Sequence, residues 1–461
     1  MAKSGQYAPS VTKTLRTGFH KNKNAGGRIL PPAFSCGILS INENAAIEEK
    51  RMQPVREYTK CRITPKAERS AKKGHPWVFA EEITKIEGEY RNGDIVDVMS
   101  SKGRYLGSGF INDNSKIRVR IISANANDQF DEAFFERRLR YALEYRRTVM
   151  GEDFTCCRLI FGEADFFPGL TVDLFNDILV VQVLSLGMEL RKNMLFGLLV
   201  KLLGEYGVRV QGLYERNDVK IRLLEGMQEQ TGFYPLEGIA SDACPTTTVI
   251  TENGIKYNVD IAHGQKTGFF LDQKYNRQAV ARISKGKRVL DCFTHTGAFG
   301  LNAAFGGAAS VTAVDISGEA VALTRANISL NGMEGRMKAV EANVFDLLTK
   351  LVDAKSKDYD LVILDPPAFT KSSSTVANAL RGYKEINMKA MKLLPRGGYL
   401  ATCSCSHFMK EDLFIKMLSD AAHDAAVTLR QVEVRQQSPD HPVLWNVPET
   451  YYLKFFIFQV V

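Results

Sequence analysis

Residues 287–300 read KRVLDCFTHTGAFG: an apolar run that ends in Asp291, a short polar loop and the start of a helical pattern. Short apolar runs separated by helical sequence predict parallel strands that are buried on both faces. Four later stretches repeat this order, at SVTAVDIS (310–317), MKAVEANVF (337–345), YDLVILDPP (359–367) and GYLATCSCS (398–406). The connecting helices are predicted over 298–305, 317–331, 344–353, 377–393 and 409–425. The sequence therefore predicts a doubly wound α/β sheet.

Polar residues follow four consecutive strands of this predicted sheet, at the edge where a doubly wound fold binds its ligand. The loop after Asp291 contains Gly297, which permits a tight turn close to a ligand. Asp315 could accept hydrogen bonds from both hydroxyls of a ribose. The amide of Asn343 could read an adenine, and Asp365 ends the fourth strand. Each residue alone could equally be a helix cap.

Phosphate-binding patterns are missing from the sequence of this region. The loop after the first strand is not GxGxxG, and GxxxxGK[ST] occurs nowhere in the chain. These absences disfavour a dinucleotide or a nucleoside triphosphate as the ligand.

The positive charge of the chain is concentrated at its start. The 461 residues carry 60 Lys or Arg and 52 Asp or Glu, a net charge of +8, and 45% of them are hydrophobic. The first 80 residues alone have 15 Lys or Arg and 5 Asp or Glu, which favours a polyanionic partner. We predict a basic flexible extension over 1–55. A passive tail, a transit peptide and translation from Met52 are the alternatives for this segment.

Several classes of protein are disfavoured by composition. The sequence contains no run of 18 apolar residues, the length needed to span a membrane. Its N-terminus also lacks the apolar core of a secretory signal. Eight cysteines without paired CxxC motifs suggest neither a disulfide scaffold nor a zinc site. The seven histidines form no metal-binding pattern, so no metal is predicted. We expect a cytoplasmic protein with free thiols.

Two smaller domains are predicted ahead of the α/β sheet. Residues 56–128 consist of short alternating, glycine-punctuated segments, which predict an all-β barrel or sandwich. Residues 129–254 begin with a helix over 130–150, on which five arginines are predicted to lie mostly outside: Arg137, Arg138, Arg140, Arg146 and Arg147. Strands and one further helix then predict a central α+β linking domain. The α/β sheet occupies 255–461.

The segment KIRVRII (116–122) places three basic residues on one face of a predicted strand, because side chains alternate across a strand. This face, formed by Lys116, Arg118 and Arg120, is either a solvated outer surface or a surface that contacts RNA. Both interpretations stay open on the sequence alone.

Taken in series, the residues that end the strands resemble the class I S-adenosylmethionine-dependent methyltransferases. Four segments resemble more closely the RlmI family of ribosomal RNA cytosine-C5 methyltransferases. HPWVF (75–79) is similar to the start of its PUA domain, EADFFPGL (163–170) to its middle-domain signature, QKTGFFLDQ (265–273) to its entry into the methyltransferase sheet, and CSCS (403–406) to its cysteine motif.

This resemblance covers residues 58–410 in the family's order. It implies a Rossmann-like class I methyltransferase domain, an N-terminal PUA-like RNA-binding β-barrel and the central α+β domain. By the same resemblance, several residues hold S-adenosylmethionine: Phe293, Thr294 and Gly297 on the methionine side, Asp315 at the ribose, Asn343 at the adenine, and Lys266 and Thr267 at the sulfonium. Asp291 and Asp365 are further predicted cofactor contacts.

Methylation of cytosine C5 explains why a thiol would lie at the end of the fifth strand. C5 is a poor nucleophile until a thiolate adds at C6, and a thiolate both attacks and leaves readily. Cys403 and Cys405 are separated by two residues, so both can face the same side. Cys405 is the preferred nucleophile because Ser406 and Glu411 follow it at a spacing similar to that of other RNA cytosine-C5 enzymes. Cys403 would help remove the C5 proton or pack.

Asp365 is predicted to contact the N3/N4 edge of the cytosine. Its segment Asp-Pro-Pro-Ala-Phe369 also resembles the motif of methyltransferases that act on exocyclic nitrogen. Pro367 lies where better-known RNA cytosine-C5 enzymes have a second cysteine, which leaves the base for the C5 proton unassigned. Phe369, Lys371 and Arg381 could line the path of the substrate base.

RNA is the predicted partner, because a thiolate cannot reach C6 inside a stacked helix. The main hypothesis is a cytosine-C5 methyltransferase that acts on large-subunit (23S) ribosomal RNA. The alternatives are an N-methyltransferase of guanine or adenine on the same scaffold, and a non-catalytic RNA-binding ribosome-assembly protein. A homodimer is compatible with the sequence, which leaves the oligomeric state open.

Overall fold

The computed structural model describes residues 57–239, 244–370 and 372–461. The predicted extension over 1–55, including Met52, and Lys371 lie outside these ranges. None of the helices in the described ranges combines the length and the apolar character needed to cross a membrane.

The first domain is a mixed six-stranded sheet with one short helix. Its strands occur in the spatial order β2-β6-β5-β4-β1-β3. Their bounds are β1 (Thr59–Ile63), β2 (Trp77–Val78), β3 (Ile83–Glu87), β4 (Ile95–Met99), β5 (Tyr105–Ile111) and β6 (Val119–Ser123), and the helix is α1 (Pro65–Lys72).

The helix α1 corrects the prediction that this domain is all-β. Thr64 caps its N-terminus by accepting a hydrogen bond from the backbone N–H of Ala67, and Pro65 opens its first turn. Both are favourable signals at a helix start. Ala67 is its one fully buried side chain, so α1 is too short and too polar for an apolar period to reveal it.

A long helix, α2 (Glu132–Met150), lies between the first domain and the second in the chain. The prediction that all five of its arginines lie mostly outside is wrong for Arg146, which is fully buried. Its guanidinium pairs with Asp165 and donates to the backbone oxygens of Arg158 and Asp440. A buried charge of this kind is tolerated because every donor group is directed at an acceptor.

The second domain has the predicted α+β character. Its five strands are hydrogen-bonded in the order β11-β10-β9-β8-β7, and its helices pack beside them. The bounds are β7 (Cys156–Phe161), β8 (Leu170–Phe175), β9 (Ile178–Val183), α3 (Leu186–Glu189), α4 (Lys192–Glu205), β10 (Gly212–Asn217), α5 (Ile221–Leu224) and β11 (Gln230–Phe233).

A two-stranded hairpin follows, formed by β12 (Thr247–Glu252) and β13 (Ile255–Asp260). The predicted domain limit at residue 254 falls in its turn. Ile250 on β12 and Tyr257 on β13 are both buried in a hydrophobic cluster that contains residues of the second and third domains. Helix α6 (Lys274–Ile283) then leads into the last sheet.

The third domain is a seven-stranded sheet in the order β16-β15-β14-β17-β18-β20-β19. β14 to β18 run parallel and β20 runs antiparallel to both of its neighbours. The bounds are β14 (Arg288–Cys292), α7 (Ala298–Phe305), β15 (Ser310–Asp315), α8 (Gly318–Leu330), β16 (Met337–Glu341), α9 (Val344–Asp353), β17 (Leu361–Leu364), α10 (Val376–Leu393), β18 (Tyr399–Ser404), α11 (Glu411–Asp424), β19 (Leu429–Arg435) and β20 (Lys454–Val460).

The doubly wound α/β fold is thus confirmed. Each of the five predicted helices is present within two residues of its predicted ends. The order of strands reverses between β14 and β17, so the carboxyl ends of these two strands flank the crevice in which such sheets bind ligands.

Two of the four segments that resembled family signatures, HPWVF (75–79) and EADFFPGL (163–170), lie where the domains meet. Trp77 of HPWVF donates its indole N–H to Glu163 of EADFFPGL at 3.0 Å. His75 lies 3.1 Å from Glu449 of the third domain. Asp165 is the partner of the buried Arg146. These segments therefore hold the domains together rather than form a separate site.

Candidate cofactor and catalytic site

The end of β14 is organised around the carboxylate of Asp291. Oδ2 accepts hydrogen bonds from the Thr294 hydroxyl at 2.5 Å and from the backbone N–H of Gly300 at 2.8 Å. Gly297 has φ +79°, and a Cβ there would lie 2.6 Å from Thr324. This glycine is therefore needed for the turn and for close packing on α8.

The other carboxylate oxygen of Asp291, Oδ1, is free to accept a hydrogen bond from a bound ligand. Oδ1 is buried and has no hydrogen-bond partner among the residues that the structure describes. Burial, together with the nearby Asp365 and Asp315 carboxylates, raises the pKa of Asp291 to about 7. A buried carboxyl with an unused oxygen is well suited to an incoming ammonium group, which would provide both the charge and the donor.

Asp315, at the end of β15, is partly exposed and already oriented. Its two oxygens accept hydrogen bonds from the backbone N–H groups of His295 (2.9 Å) and Ser317 (3.0 Å). These contacts fix the carboxylate at the crevice while leaving further acceptor capacity for two hydroxyls. The next residue, Ile316, is 65% exposed. No sequence motif singled out Ile316, whose exposed apolar side chain directly follows Asp315 in the chain.

Asn343 caps helix α9: its side-chain oxygen accepts the backbone N–H of Phe345 at 2.9 Å. The residue is exposed after β16, where the adenine contact is predicted. The cap uses the amide oxygen, so a contact with adenine would use the amide nitrogen.

An aromatic wall connects the ends of three strands. Phe293 contacts Phe345 and Phe369 edge-on, with ring centroids 6.3 and 6.4 Å apart. Phe369 also packs against Tyr383 at 4.6 Å. Phe369, predicted to contact RNA, is therefore part of this wall and only partly exposed.

The ends of β17 and β18 bring Asp365 and Cys403 together. The Cys403 thiol donates to Oδ1 of Asp365 at 2.9 Å, and the Gln273 amide donates to the same oxygen at 3.1 Å. Burial raises the pKa of Asp365 and, aided by the Asp365 charge, raises that of the fully buried Cys403 well above its usual value. Gln273 is the last residue of the QKTGFFLDQ segment (265–273), but its hydrogen bond to Asp365 was not predicted from the sequence.

Cys405 lies just beyond β18 and is partly exposed. Its sulfur is 3.9 Å from the backbone oxygen of Pro366, so both cysteines face the segment after β17. Burial and the Asp365 charge raise the pKa of Cys405 to about 11, and the charge of Lys266 opposes this shift. Of the two thiols, Cys405 is the accessible one.

A buried lysine supports this segment from β20. Lys454 is 1% exposed and donates to the backbone oxygens of Ser406 (2.7 Å) and Tyr452 (2.9 Å). Burial lowers its pKa to about 8. Sequence reasoning missed Lys454, because an isolated lysine in an apolar strand carries no motif.

Lys266 and Thr267 lie in the loop before α6 and are placed differently. The Lys266 ammonium is half-exposed, 3.8 Å from Asp272 and 4.6 Å from the centre of the Phe270 ring. The Thr267 hydroxyl is buried and donates to Asp173 of the second domain at 2.5 Å. A cofactor contact at Thr267 would therefore use its backbone.

The three basic residues predicted to form an RNA-facing surface are not equivalent. Lys116 is exposed. Arg118 pairs with Asp113. Arg120 is bound by Glu225 at 2.7 Å and lies 3.5 Å from Glu163. The structure thus leaves Lys116 available and uses Arg120 between domains. Within 57–239, 244–370 and 372–461, no cluster of three or more His, Cys, Asp or Glu residues is arranged to hold a metal ion.

Comparison with known proteins identifies two domains and the family. The model of the PUA-like domain matches residues 61–124, and that of the S-adenosylmethionine-dependent methyltransferases matches residues 237–458. Ribosomal RNA large subunit methyltransferase I of Klebsiella pneumoniae is 40% identical over 86% of this chain and 96% of its own length. The protein of the same name from Aeromonas salmonicida is 41% identical over 84% and 96%. The chain belongs to the ribosomal RNA large subunit methyltransferase I family.

Membership of the ribosomal RNA large subunit methyltransferase I family confirms the resemblance found in the four segments, and S-adenosylmethionine is the cofactor of the third domain. A solved structure described as an S-adenosylmethionine-dependent methyltransferase from Streptococcus mutans has a TM-score of 0.72. It covers 87% of this chain and all of its own at 22% identity, which supports the fold alone.

Proposed function

We propose that this protein methylates C5 of a cytosine in large-subunit ribosomal RNA through a Cys405 thiolate adduct at C6. The observation that carries the proposal is that a partly exposed thiol, Cys405, and the carboxyl of Asp365 directly follow the adjacent strands β18 and β17, with the Cys405 sulfur 3.9 Å from the backbone oxygen of Pro366, the residue after Asp365. The ribosomal substrate is supported by the names of the relatives.

S-adenosylmethionine, when bound, supplies an electrophilic methyl group. Asp291 would hold its ammonium through Oδ1, the buried oxygen that lacks a partner in the described part of the chain. Asp315 would bind the ribose, Asn343 and Ile316 the adenine, and Phe293 would close the methionine side. The backbone turn through Thr294 and Gly297 would let these groups approach closely.

Accessibility favours Cys405 over Cys403 as the nucleophile. Cys403 is fully buried, and its thiol is directed at Asp365. In this proposal Cys403 is a positioning residue for Asp365, together with Gln273. Cys405 attacks C6, which places negative charge on the base and makes C5 nucleophilic.

The raised pKa of Asp365 keeps its carboxyl able to carry a proton, which it would donate to N3 of the cytosine as the thiolate adds. Loss of charge at Asp365 would also remove an influence that raises the pKa of Cys405. A protonated Asp365 would therefore have two effects. It would supply the proton for N3 of the cytosine, and it would no longer raise the pKa of the Cys405 thiol. Methyl transfer to C5 would leave S-adenosylhomocysteine. The C5 proton would then pass to solvent, its electron pair would form the C5=C6 bond and expel the Cys405 thiolate, and N3 would return its proton to Asp365, which gives 5-methylcytosine.

The proposal is tested by incubating the purified protein with large-subunit rRNA transcript and S-adenosylmethionine and digesting the product to nucleosides. Mass spectrometry should find 5-methylcytidine, and bisulfite sequencing should place it at one site. A product that is N-methylguanosine or N-methyladenosine would contradict the proposal, as would activity that persists in both Cys405→Ala and Cys403→Ala. Failure of the protein to bind S-adenosylmethionine in calorimetry would favour a non-catalytic assembly role.

A further inference from the structure

The connection between β19 and β20 is long and firmly held. It runs over residues 436–453, longer than connections without regular structure usually are in compact domains. Asp440 is fully buried and accepts the backbone N–H of Arg158 at 2.8 Å, and its backbone oxygen accepts from Arg146. The Ser438 N–H donates to the backbone oxygen of Asp272. The base of this connection is therefore fixed to the second and third domains.

The outer part of the connection is fixed as well. The Asn446 amide donates to the backbone oxygen of Gly74 at 2.7 Å, and Glu449 contacts His75 in the first domain. The backbone N–H of Leu444 donates to Thr450. The residues that flank position 445 are thus held on both sides.

Trp445 is nevertheless 98% exposed. It is one of two tryptophans in the chain, and the other, Trp77, donates to Glu163 between domains. Because the residues around Trp445 are held by these contacts, its exposed ring would lose little conformational entropy on binding a partner. Tryptophan is also among the residues that contribute most to binding when an interface covers them.

A cleft of about 580 Å³ lies beside this ring, lined by Trp445, Tyr145, Glu411 and Tyr451 among others. A second cleft of about 520 Å³ adjoins it and shares Glu411 and Tyr451 with it. Tyr145 belongs to α2 and Glu411 to the first turn of α11. The cleft therefore separates the second domain from the third.

The α2 wall has the composition of a surface that binds nucleic acid. Tyr141 and Tyr145 are 58% and 38% exposed and lie four residues apart, hence on one face of the helix. Arg137, four residues before Tyr141, continues this face, is exposed and pairs with Asp128. Aromatic rings interleaved with arginines are typical of surfaces that bind unpaired nucleotides.

The opposite wall leads back to the catalytic cysteine. Tyr451 donates to Glu411 at 2.5 Å, and the neighbouring Tyr452 shares Lys454 with Ser406, the residue after Cys405. Phe408, three residues after Cys405, is 38% exposed. The chain between the nucleophile and the cleft is thus short and exposes an aromatic ring.

We propose that this cleft binds unpaired nucleotides that flank the target cytosine, with Trp445 and Tyr145 stacking on bases. The inference rests on the proposed function, because a cytosine attacked at C6 must be unstacked and its neighbours are then single-stranded. Stacking is tolerant of sequence, so the cleft supplies affinity and register while the catalytic site selects the base.

The test uses Trp445→Ala in the full chain, with a 20-nucleotide oligouridine that contains one cytosine as the probe. The dissociation constant should rise by roughly five-fold or more, the effect expected for loss of one stacked base. Trp445→Phe should restore most of the affinity. Leu224→Ala, at a side chain that is 68% exposed on α5, is the matched control and should bind like the unmodified protein.

Tryptophan fluorescence gives an independent readout. The oligonucleotide should quench the unmodified protein, whereas Trp445→Phe, which retains Trp77 alone, should show little change. Unchanged affinity of Trp445→Ala together with absent quenching would overturn the proposal, and a protein-binding role for Trp445 would give this result. Neither measurement needs methyl transfer, so a product other than 5-methylcytidine would refute the proposed function without deciding the role of the cleft.

Discussion

The two halves of the ligand-binding edge are built differently. In the half formed by β14, β15 and β16, the polar groups of Asp291, Asp315 and Asn343 are oriented by residues that follow these same strands, as Asp291 is by Thr294 and Gly300. In the half formed by β17 and β18, Asp365 is held by Gln273 from the loop before α6, and the Cys405 segment by Lys454 from β20. The cofactor half is local in sequence, and the catalytic half depends on distant segments.

This difference predicts that substitutions in the two halves separate experimentally. Changes in the cofactor half should alter the affinity for S-adenosylmethionine and leave the saturated rate near normal. Changes in the catalytic half should lower the rate and leave the cofactor affinity unchanged.

The largest effect is expected for Cys405→Ala. Removal of the nucleophile should lower methyl transfer by about 10⁴-fold or more, because C5 is not activated without an adduct at C6. Single-turnover assays with rRNA transcript measure the rate, and calorimetry should show normal cofactor binding. Cys403→Ala is the matched control and should retain activity within about ten-fold. The reverse ranking of the two variants would contradict the assignment.

Asp291→Asn should weaken S-adenosylmethionine binding by about 10- to 100-fold, the worth of a charge-assisted hydrogen bond. Because the pKa of Asp291 is about 7, its carboxylate is protonated as pH falls from 7 to 5. The affinity of the unmodified protein should therefore fall over this range, and that of Asp291→Asn should stay flat. Calorimetry at several pH values decides the point, and equal pH dependence in both proteins would rule out an ammonium contact at Asp291.

Gln273→Ala should reduce the saturated rate by about ten-fold, because Asp365 loses one of its two Oδ1 donors. The affinity for S-adenosylmethionine should be unchanged if the halves are independent. Steady-state kinetics with a calorimetric control measures both. A loss of affinity for S-adenosylmethionine as large as the loss of rate would show that the cofactor half and the catalytic half are not independent.

The smallest effect is expected at Asn343, where a cap and an adenine contact overlap. Asn343→Asp keeps the oxygen that caps α9 and removes the amide donor, whereas Asn343→Ala removes both. Both variants should bind S-adenosylmethionine a few-fold more weakly, and Asn343→Ala should also lose about 1 kcal/mol of stability. Normal cofactor affinity in Asn343→Asp would show that the side chain is a cap alone.

Features that depend on residues close together in the chain could be predicted from the sequence, and features that depend on distant residues could not. The five parallel strands of the third domain and the five helices between and after them follow from apolar runs and helical periods, which are local signals, whereas the antiparallel strands β19 and β20 were not predicted. Strand-end residues such as Asp315 and Asn343 inherit their positions from those strands. By contrast, the burial of Arg146 depends on Asp165 and on the backbone of residues 158 and 440, which meet only after folding.

The roles of Gln273, Lys454 and Trp445 could not be predicted from the sequence either, because they depend on contacts between distant residues. Gln273 and Lys454 act through partners 92 and 48 residues away in the chain. The exposure of Trp445 results from contacts of its neighbours with the first and second domains. A tryptophan near prolines in sequence does not indicate whether its ring is buried or presented. Tertiary contacts of this kind leave no periodic pattern.

The most direct test of the account is to trap the adduct between Cys405 and the substrate. RNA transcribed with 5-fluorocytidine should form a covalent complex with the protein in the presence of S-adenosylmethionine, because fluorine cannot be eliminated as the C5 proton is. A denaturation-resistant complex attached at Cys405 is expected with the unmodified protein and with Cys403→Ala, and none is expected with Cys405→Ala. A complex attached at Cys403, or 5-methylcytidine formed by Cys405→Ala at the normal rate, would contradict this expectation.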